Sequence, residues 1–551
     1  RAVNALIVIV LLIWLLGTQV RIYRQARFFQ IEEYMNLRYL RWVLKARHRW
    51  LPTRPMVAWL IGGILAVIFS EGGVALPFIV TSLAATAAAI PPGEGEVKKR
   101  FRATGRAKRL LASSMITAGI AGLLLALAAG LAFSPQGRAE SIGLVIAATL
   151  GLALFLAAPL WLVSGNLLMR PVEATLRSRY LRRAARVLEE IRPTVIGITG
   201  SYGKTSTKAI LAHLLNGRFK AYATPQSYNT LMGICLAINT DLAEDHSVDY
   251  FICEMGAYIP GEIQRIADLV HPTIGIEIEV GPQHLERFGT LENVATAKYE
   301  LVKALPSDGI AVFNMDNPYI RTMAEHGHPA TRIGISKTTG PTSPPPGVHL
   351  IASDVRETLD GLRFTLTDAR TGAAVAIETP LLGEHNVTNL LLATAVALHE
   401  GMTLPEIARR ARTLQAAESR LVRQVTASGI TIINDAYSAN PVGIVGALNV
   451  LALHDSGRRL LITPGMVELA ERHEEENRRL GELAAAKATD VILVGSARTA
   501  PIREGLLAAG FPETHLQTVE ALREAVHWYE ANLRAGDAVM FLNDLPDTYN
   551  T

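Results

Sequence analysis

Cysteine is almost absent from this 551-residue sequence: Cys235 and Cys253 are the only two. That excludes a disulfide framework and a CxxC metal site, and it suits a reducing compartment. Long apolar runs are absent after about residue 170, where the chain reads as ordinary globular sequence. Inside the apolar stretches before that point ionisable residues are scarce instead. Apolar stretches with hardly any charge lack the usual mark of a transport pathway, which argues against an ATP-driven transporter and for an anchor. The globular part also lacks the basic excess that would attract nucleic acid. The whole chain carries a formal +4, yet residues 193–551 hold 29 Lys and Arg against 41 Asp and Glu, about −12. The positive charge sits in segments between apolar stretches, a distribution that fits anionic lipid headgroups better than a phosphodiester groove.

Five apolar stretches precede the globular part, at roughly 2–20, 56–70, 74–90, 111–133 and 143–168. A spanning helix needs about 20 apolar residues because the hydrocarbon core is about 30 Å thick. The first, fourth and fifth stretches meet this, and 56–90 reads as a hairpin turning at Glu71-Gly72-Gly73. Residues 21–56 hold nine Lys and Arg, 91–110 hold seven and 170–192 hold seven, whereas the Glu71 turn has none. Basic loops stay on the cytoplasmic side, so five spans place them, and everything after residue 170, in the cytoplasm. "GTQVRIYRQAR" after the first stretch offers no small-residue cleavage site, so that stretch reads as an anchor and not a signal peptide. The organisation expected is an α-helical, multi-pass domain of the cell membrane over 1–192, then α/β domains over 193–417 and 418–551.

"TVIGITG" (194–200) is a β-branched run ending in glycine, and "KTSTKAILAHLL" follows with helical spacing. A loop between a buried strand and a helix is where backbone N–H groups and a helix N-terminus hold phosphates. This loop, "ITGSYGKTSTK", is short: the common pattern has a glycine at the place of Ile198, whereas here Gly200 stands three residues before Gly203. Lys204 supplies a charge for the β- and γ-phosphates, and the Thr205 hydroxyl can ligate Mg²⁺. Further runs, "YFICEMG", "TIGIEIEVG" and "GIAVFNMD", alternate with helical segments and predict a parallel sheet covered on both faces. "TTGPTSPPPGVH" (338–349) is a proline-rich loop. "GITIINDAY", "RLLITPGM", "DVILVGS" and "DAVMFLND" predict a second, Rossmann-like sheet.

Other residues gain meaning only alongside that loop. Glu254 follows a buried strand, His284 follows another, Lys298 lies on the next helix, and "GEHNVTNLLLATAVA", "ESRL" and "INDAYSANP" come later in the chain. Each alone would read as a capping acid, a surface histidine or a solvated lysine. In this order they resemble the Mur ligase superfamily, and within it the branch that adds D-alanyl-D-alanine to UDP-muramoyl tripeptide. The resemblance covers roughly residues 194–550 and includes the short loop. It implies that Gly200, Gly203, Lys204, Thr205 and Ser206 hold ATP phosphates and that Thr205 and Glu254 ligate one Mg²⁺. It further implies that His284 ligates a second Mg²⁺ together with Lys298, carbamylated so that an anion replaces an ammonium. Asn389 would face the adenine, and Arg420, Asp435, Tyr437 and Asn440 would close over the nucleotide.

The chemistry implied is ATP-dependent: a substrate carboxylate becomes an acyl phosphate, which an amine attacks to leave an amide. The carboxylate would belong to a UDP- or lipid-linked cell-wall peptide and the amine to an amino acid or dipeptide. Between the fifth apolar stretch and the loop there is room only for a short basic helix, not for the UDP-binding domain that this branch carries. Its arginines at 177, 179, 182, 183 and 186 either meet a lipid pyrophosphate or only set topology. A poly-γ-glutamate-type ligase remains the alternative in the same superfamily.

Overall fold

The computed structural model describes residues 2–32, 34–68, 76–80, 82–83, 101–132, 138–225, 228–337, 346–418, 420–436, 439–467 and 469–543. The chain divides into two compact units that part between Ser178 and Arg179.

The first unit is helical: α1 (Ala2–Ile31), α2 (Thr53–Ile68), α3 (Gly105–Ala132), α4 (Arg138–Leu156) and α5 (Ala158–Ile191), the last running on into the second unit. Two segments, Ala5–Ile31 and Gly105–Ala129, are long and apolar enough to cross a membrane, and a third crossing is available if the α4–α5 pair, bent by 56°, counts as one. The expected five spans therefore reduce to two or three among the described residues. The 16 residues of α2 rise only about 24 Å, short of a full crossing. The expected fifth span is broken between Leu156 and Ala158. The Glu71 turn and most of 74–90 lie outside the described residues. Inside this unit Trp14 packs edge-on against Phe155, with ring centroids 5.8 Å apart. Arg21, buried on α1, donates to the carbonyls of Phe155 (2.9 Å), Arg49 and Trp50 (both 3.1 Å), so its charge is surrounded by acceptors.

The second unit holds two sheets. The larger contains β1 (Thr194–Thr199), β2 (Ala221–Ala223), β3 (Tyr250–Glu254), β4 (Ile274–Glu277), β5 (Ile310–Asn314), β6 (Thr331–Lys337), β7 (Val348–Thr358), β8 (Gly361–Asp368) and β9 (Ala374–Thr379), in the order β2-β3-β1-β4-β5-β6-β7-β8-β9. It is parallel through β7 and antiparallel over β7–β9. Alternate residues of its strands enter two cores. Ile196, Ile198 and Ile276 meet α6 (Lys204–Leu215) and α9 (His385–His399) on one face. Phe251, Cys253 and Phe313 meet α7 (Leu231–Thr240) and α8 (Leu291–Ala304) on the other. The smaller sheet has the order β10-β11-β15-β12-β13-β14 and contains β10 (Val422–Val425), β11 (Thr431–Asp435), β12 (Arg459–Thr463), β13 (Asp490–Val494), β14 (Leu516–Val519) and β15 (Ala538–Leu542). Only β10 runs antiparallel. Every strand expected from an apolar run is present, and both central sheets are parallel. The β7–β9 extension was not foreseen, and its first strand begins inside the segment expected to be only a proline-rich loop. Residues 338–345 of that segment lie outside the described residues.

Helices α10 (Gly443–Ala452), α11 (His473–Ala485) and α12 (Ser496–Ala508) cover the second sheet. Glycines let α11 and α12 meet backbone to backbone, since a Cβ on Gly481 would lie 2.2 Å from Ile502 O and one on Gly505 would lie 2.0 Å from Arg478 O. Gly505→Val is expected to destabilise the protein by about 1–3 kcal/mol, the usual cost of overpacking, read as a lower urea midpoint. An unchanged midpoint would contradict this contact.

Candidate active site

The loop after β1 is shaped by close approach to two neighbouring elements. Gly200 (φ 154°) sits where a Cβ would lie 3.1 Å from Glu279 N, and Gly203 (φ 81°) where it would lie 2.6 Å from Asn389 Oδ1. Ser201 fastens the loop to the chain after β4, its N–H donating to Glu279 O at 2.7 Å and its hydroxyl accepting from Gly281 N at 3.0 Å. These bonds leave α6 starting at Lys204 with its N-terminus toward a cavity of about 740 Å³.

Lys204 folds back over the loop, donating to Gly200 O (2.5 Å) and Ser201 O (3.1 Å). Burial lowers its pKa to about 8; Glu254 opposes the shift and Arg420 adds to it. Glu254, at the end of β3 and 1 % exposed, accepts from Thr205 Oγ1 (3.1 Å) and Asn229 Nδ2 (3.1 Å) and pairs with Lys208 Nζ at 2.9 Å. Burial alone would raise this carboxyl, but Lys208 and then Lys204 outweigh it and hold the pKa below the ordinary value. Thr205 and Glu254 thus present hard oxygen donors side by side at the cavity wall, the donor type Mg²⁺ prefers. Among the described residues no three His, Cys, Asp or Glu side chains cluster closely enough to hold a metal by themselves.

Ser206 and His284 also line the cavity, and His284 packs edge-on against Tyr258 with centroids 4.6 Å apart. Lys298 does not line it. It lies 3 % exposed on α8, where burial lowers its pKa to about 7. Its surroundings hold a residue that the motif reading missed. Glu277 ends β4, is fully buried, and has no hydrogen-bond partner for either carboxyl oxygen among the described residues. It shares a sheet face with Gly275, where a Cβ would touch Leu301 of α8 and Leu305 just past its end, so one turn earlier on that helix Glu277 faces Lys298. Burial drives its carboxyl well above the usual range, and Lys298 opposes the shift. The signal was present in "TIGIEIEVG": an acid inside a buried parallel strand needs a partner.

Asn389 is buried; its Oδ1 accepts from Thr207 of α6 at 3.2 Å and its Nδ2 donates to Asn386 at 2.9 Å. The opposite wall belongs to the second sheet. Arg420 and Asp435 line the cavity there, and Asp435 accepts from Leu421 N at 3.2 Å. Burial raises Asp435 to about 6 against the pull of Arg420. Asn440 Oδ1 accepts from Val442 N (3.1 Å) and Gly443 N (2.8 Å), fixing the start of α10. Tyr437 lies outside the described residues. Three further cavity residues were not picked out from sequence: Glu279, raised by burial to about 7, and Arg472 and Arg479 from the second sheet's side. Lys208 could have been found, since it stands one helical turn after Lys204 on the same face.

This arrangement has known counterparts. Residues 198–397 match the Mur ligase middle domain, and residues 419–542 match the domain described as Mur ligase, glutamate ligase domain. The UDP-N-acetylmuramoyl-tripeptide–D-alanyl-D-alanine ligase of Mycobacterium leprae is 32% identical over 381 residues, covering 63% of this chain and 70% of the relative. The Bacillus subtilis protein of that name is 27% identical over 357 residues, covering 64% and 74%. Among solved structures, MurF from Acinetobacter baumannii superposes with a TM-score of 0.56 at 24% identity, over 67% of this chain and 77% of that one. MurF ligase from Thermotoga maritima in complex with ADP gives 0.57 at 23%, over 66% and 80%. At such identities the structural likeness speaks for the fold alone. The sequence matches go further, and with the short phosphate loop opening on a shared cavity they lead to one conclusion: the chain belongs to the Mur ligase family and is an ATP-dependent, ADP-forming carboxylate–amine ligase.

Proposed function

We propose that this ligase works in peptidoglycan precursor synthesis, anchored in the membrane by its apolar helices with the ligase domains in the cytoplasm. Its carboxylate substrate is a muramoyl peptide, UDP- or lipid-linked, and its amine is an amino acid or dipeptide, with D-alanyl-D-alanine the first candidate. The observation that carries this reading is the single cavity walled on one side by the phosphate loop and on the other by the second sheet. Activation and amide formation need both walls, because the acyl phosphate formed at the loop must meet an amine before water does.

In the first step the substrate carboxylate oxygen forms a bond to the γ-phosphorus of ATP and ADP leaves. Lys204 turns from the loop carbonyls to the phosphates, and the loop N–H groups hold their oxygens. In the second step the amine attacks the acyl carbon, phosphate leaves, and the amine's surplus proton passes to a base or to water. Mg²⁺ bound by Thr205 and Glu254, and a second ion bound by His284 and a carbamate on Lys298, would neutralise phosphate charge. The buried Lys298 suits that modification: a pKa of about 7 leaves much of the amine neutral, the form that adds CO₂. Glu277, driven by burial toward its neutral acid, then has an O–H to offer the carbamate.

The functional assay is ADP release by full-length protein supplied with UDP-linked and lipid-linked muramoyl peptides and a panel of amines containing D-alanyl-D-alanine, D-alanine and L-glutamate. Release with a muramoyl peptide and the dipeptide is expected. Release with glutamate alone would replace the proposal by a glutamate-polymer ligase. Lys204→Ala should lower the rate about a hundredfold or more while leaving the fold intact. Lys298→Ala should lose at least about tenfold and regain part of it with formate or acetate; an active, unresponsive variant would remove the carbamate.

Lys204 also sets a pH dependence. In the nucleotide-free protein it loses its proton above about pH 8, whereas bound phosphates favour the charged form. ATP affinity is therefore expected to fall as pH rises through about 8. A flat profile between about pH 7 and about pH 9.5 would show that this lysine does not bear on the phosphates.

A further inference from the structure

Between α1 and α2 the chain runs through residues 35–54, which hold six Lys and Arg and no Asp or Glu. A basic loop that served topology alone could stay loose in water. This one is folded and fastened. It contains a helix, Asn36–Leu44, and a further turn, Arg47–Trp50. Asn166 of α5 donates to Tyr34 O at 3.1 Å and to Asn36 Oδ1 at 2.8 Å, which fixes one end, and the bonds from Arg21 to Arg49 O and Trp50 O fix the other. In between, Tyr39 and Val43 are buried in one cluster with Phe29, the Tyr39 hydroxyl donates to Gln25 Oε1 at 2.8 Å, and Trp42 stacks on Phe28 with ring centroids 4.4 Å apart. With Tyr39 and Val43 turned inward, helical spacing turns Leu37, Arg41 and Leu44 outward. Leu37 and Leu44 are 72% and 63% exposed, and Trp50 beyond them is 40% exposed. Arg41, Lys45, Arg47 and Arg54 are exposed as well, and among the described residues none of these four has a carboxylate partner.

From this arrangement we infer that residues 35–54 form a foot in the bilayer interface that binds the phosphate headgroups of anionic phospholipids. The inference rests on the membrane-anchored reading above and adds a recognition surface to it. Water does not account for the outward face, because packing holds two leucines and a tryptophan in the open, where apolar surface is costly. That surface continues past Trp50 along α2, whose Val57, Leu60, Ile61 and Ile64 are 45–54% exposed, so whatever surrounds that apolar helix also reaches the foot. Tryptophan settles at the boundary between hydrocarbon and headgroups. Arginine and lysine beside it lay their stems along apolar surface and carry their charges outward, to the level of the phosphates. The foot does not supply its own anion: Glu32, just before it, is paired with Arg38 at 3.2 Å. An anionic phospholipid meets both needs at once, with acyl chains for the leucines and a net negative headgroup for the unpaired cations.

The test uses the full-length protein in lipid nanodiscs, with Leu37→Cys carrying a bimane fluorophore; Cys235 and Cys253 are both buried and stay unlabelled. Brominated phosphatidylglycerol and brominated phosphatidylcholine are added separately, as quenchers, to a phosphatidylcholine bilayer. Both should quench the label, the anionic lipid with an apparent affinity at least about fivefold higher, the scale of one basic side chain at a charged membrane surface. Arg41→Gln/Lys45→Gln should lose that preference while quenching by phosphatidylcholine persists. Inorganic phosphate at matched ionic strength should leave the preference unchanged; its abolition by phosphate would replace the lipid headgroup by a free anion and overturn the inference. Equal quenching by the two lipids would also overturn it. A second label, at Leu124→Cys on the exposed face of α3, keeps the two readings apart. Quenching at position 124 without quenching at position 37 would remove the foot and leave the anchor, whereas no quenching at either position would remove the membrane anchor and this inference with it.

Discussion

A carboxylate buried at the end of β3 is the charge around which the site is arranged. Glu254 is nearly inaccessible to water, and an isolated anion there would shed its charge by taking up a proton. It stays ionised because α6 brings Lys208 onto one oxygen and places Lys204 nearby, while Thr205 and Asn229 donate hydrogen bonds to it. One helix therefore supplies the phosphate-binding lysine, a hydroxyl for metal and the counter-charge for the acid. The consequence is tight coupling: the spacing from Lys204 to Lys208 is a single helical turn, so a shift of the loop moves the acid's partners with it.

The parts of this site that were legible from sequence are those whose chemistry depends on local spacing. The glycines and Lys204 announce themselves because a strand, a tight turn and a helix N-terminus follow one another along the chain. Glu254 was readable because it stands at the end of an apolar strand. Glu277 was passed over for the opposite reason: its partner, Lys298, is on another element, and only the packing of α8 against β4 shows that the two face each other. Arg472 and Arg479 were hidden because the three glutamates and three arginines of residues 472–479 read as a solvated, charge-balanced helix face. In the membrane part apolar composition alone suggested five spans, whereas helix length among the described residues supports two or three.

The helix α9 joins the two walls. Near its start His385 is partly buried, and a Cβ on Gly446 of α10 would lie 3.2 Å from its Nδ1; further along, Asn389 touches both Gly203 and Thr207. One rigid element thus reports on the second sheet at one end and on the phosphate loop within its first turns. Burial lowers His385 to about 4, so near neutral pH it is an uncharged packing group and not a cation competing for the nucleotide.

The resting place of Lys204 governs which anions the loop retains. Its ammonium is already satisfied by two loop carbonyls, and any anion that draws it away leaves those oxygens without their donor. A small ion such as inorganic phosphate offers little to offset that loss, whereas a triphosphate engages the lysine and the row of loop N–H groups together. The enzyme can therefore be insensitive to the phosphate it releases at every turnover, a resistance to its own product that arises from a lysine bonded to its own loop.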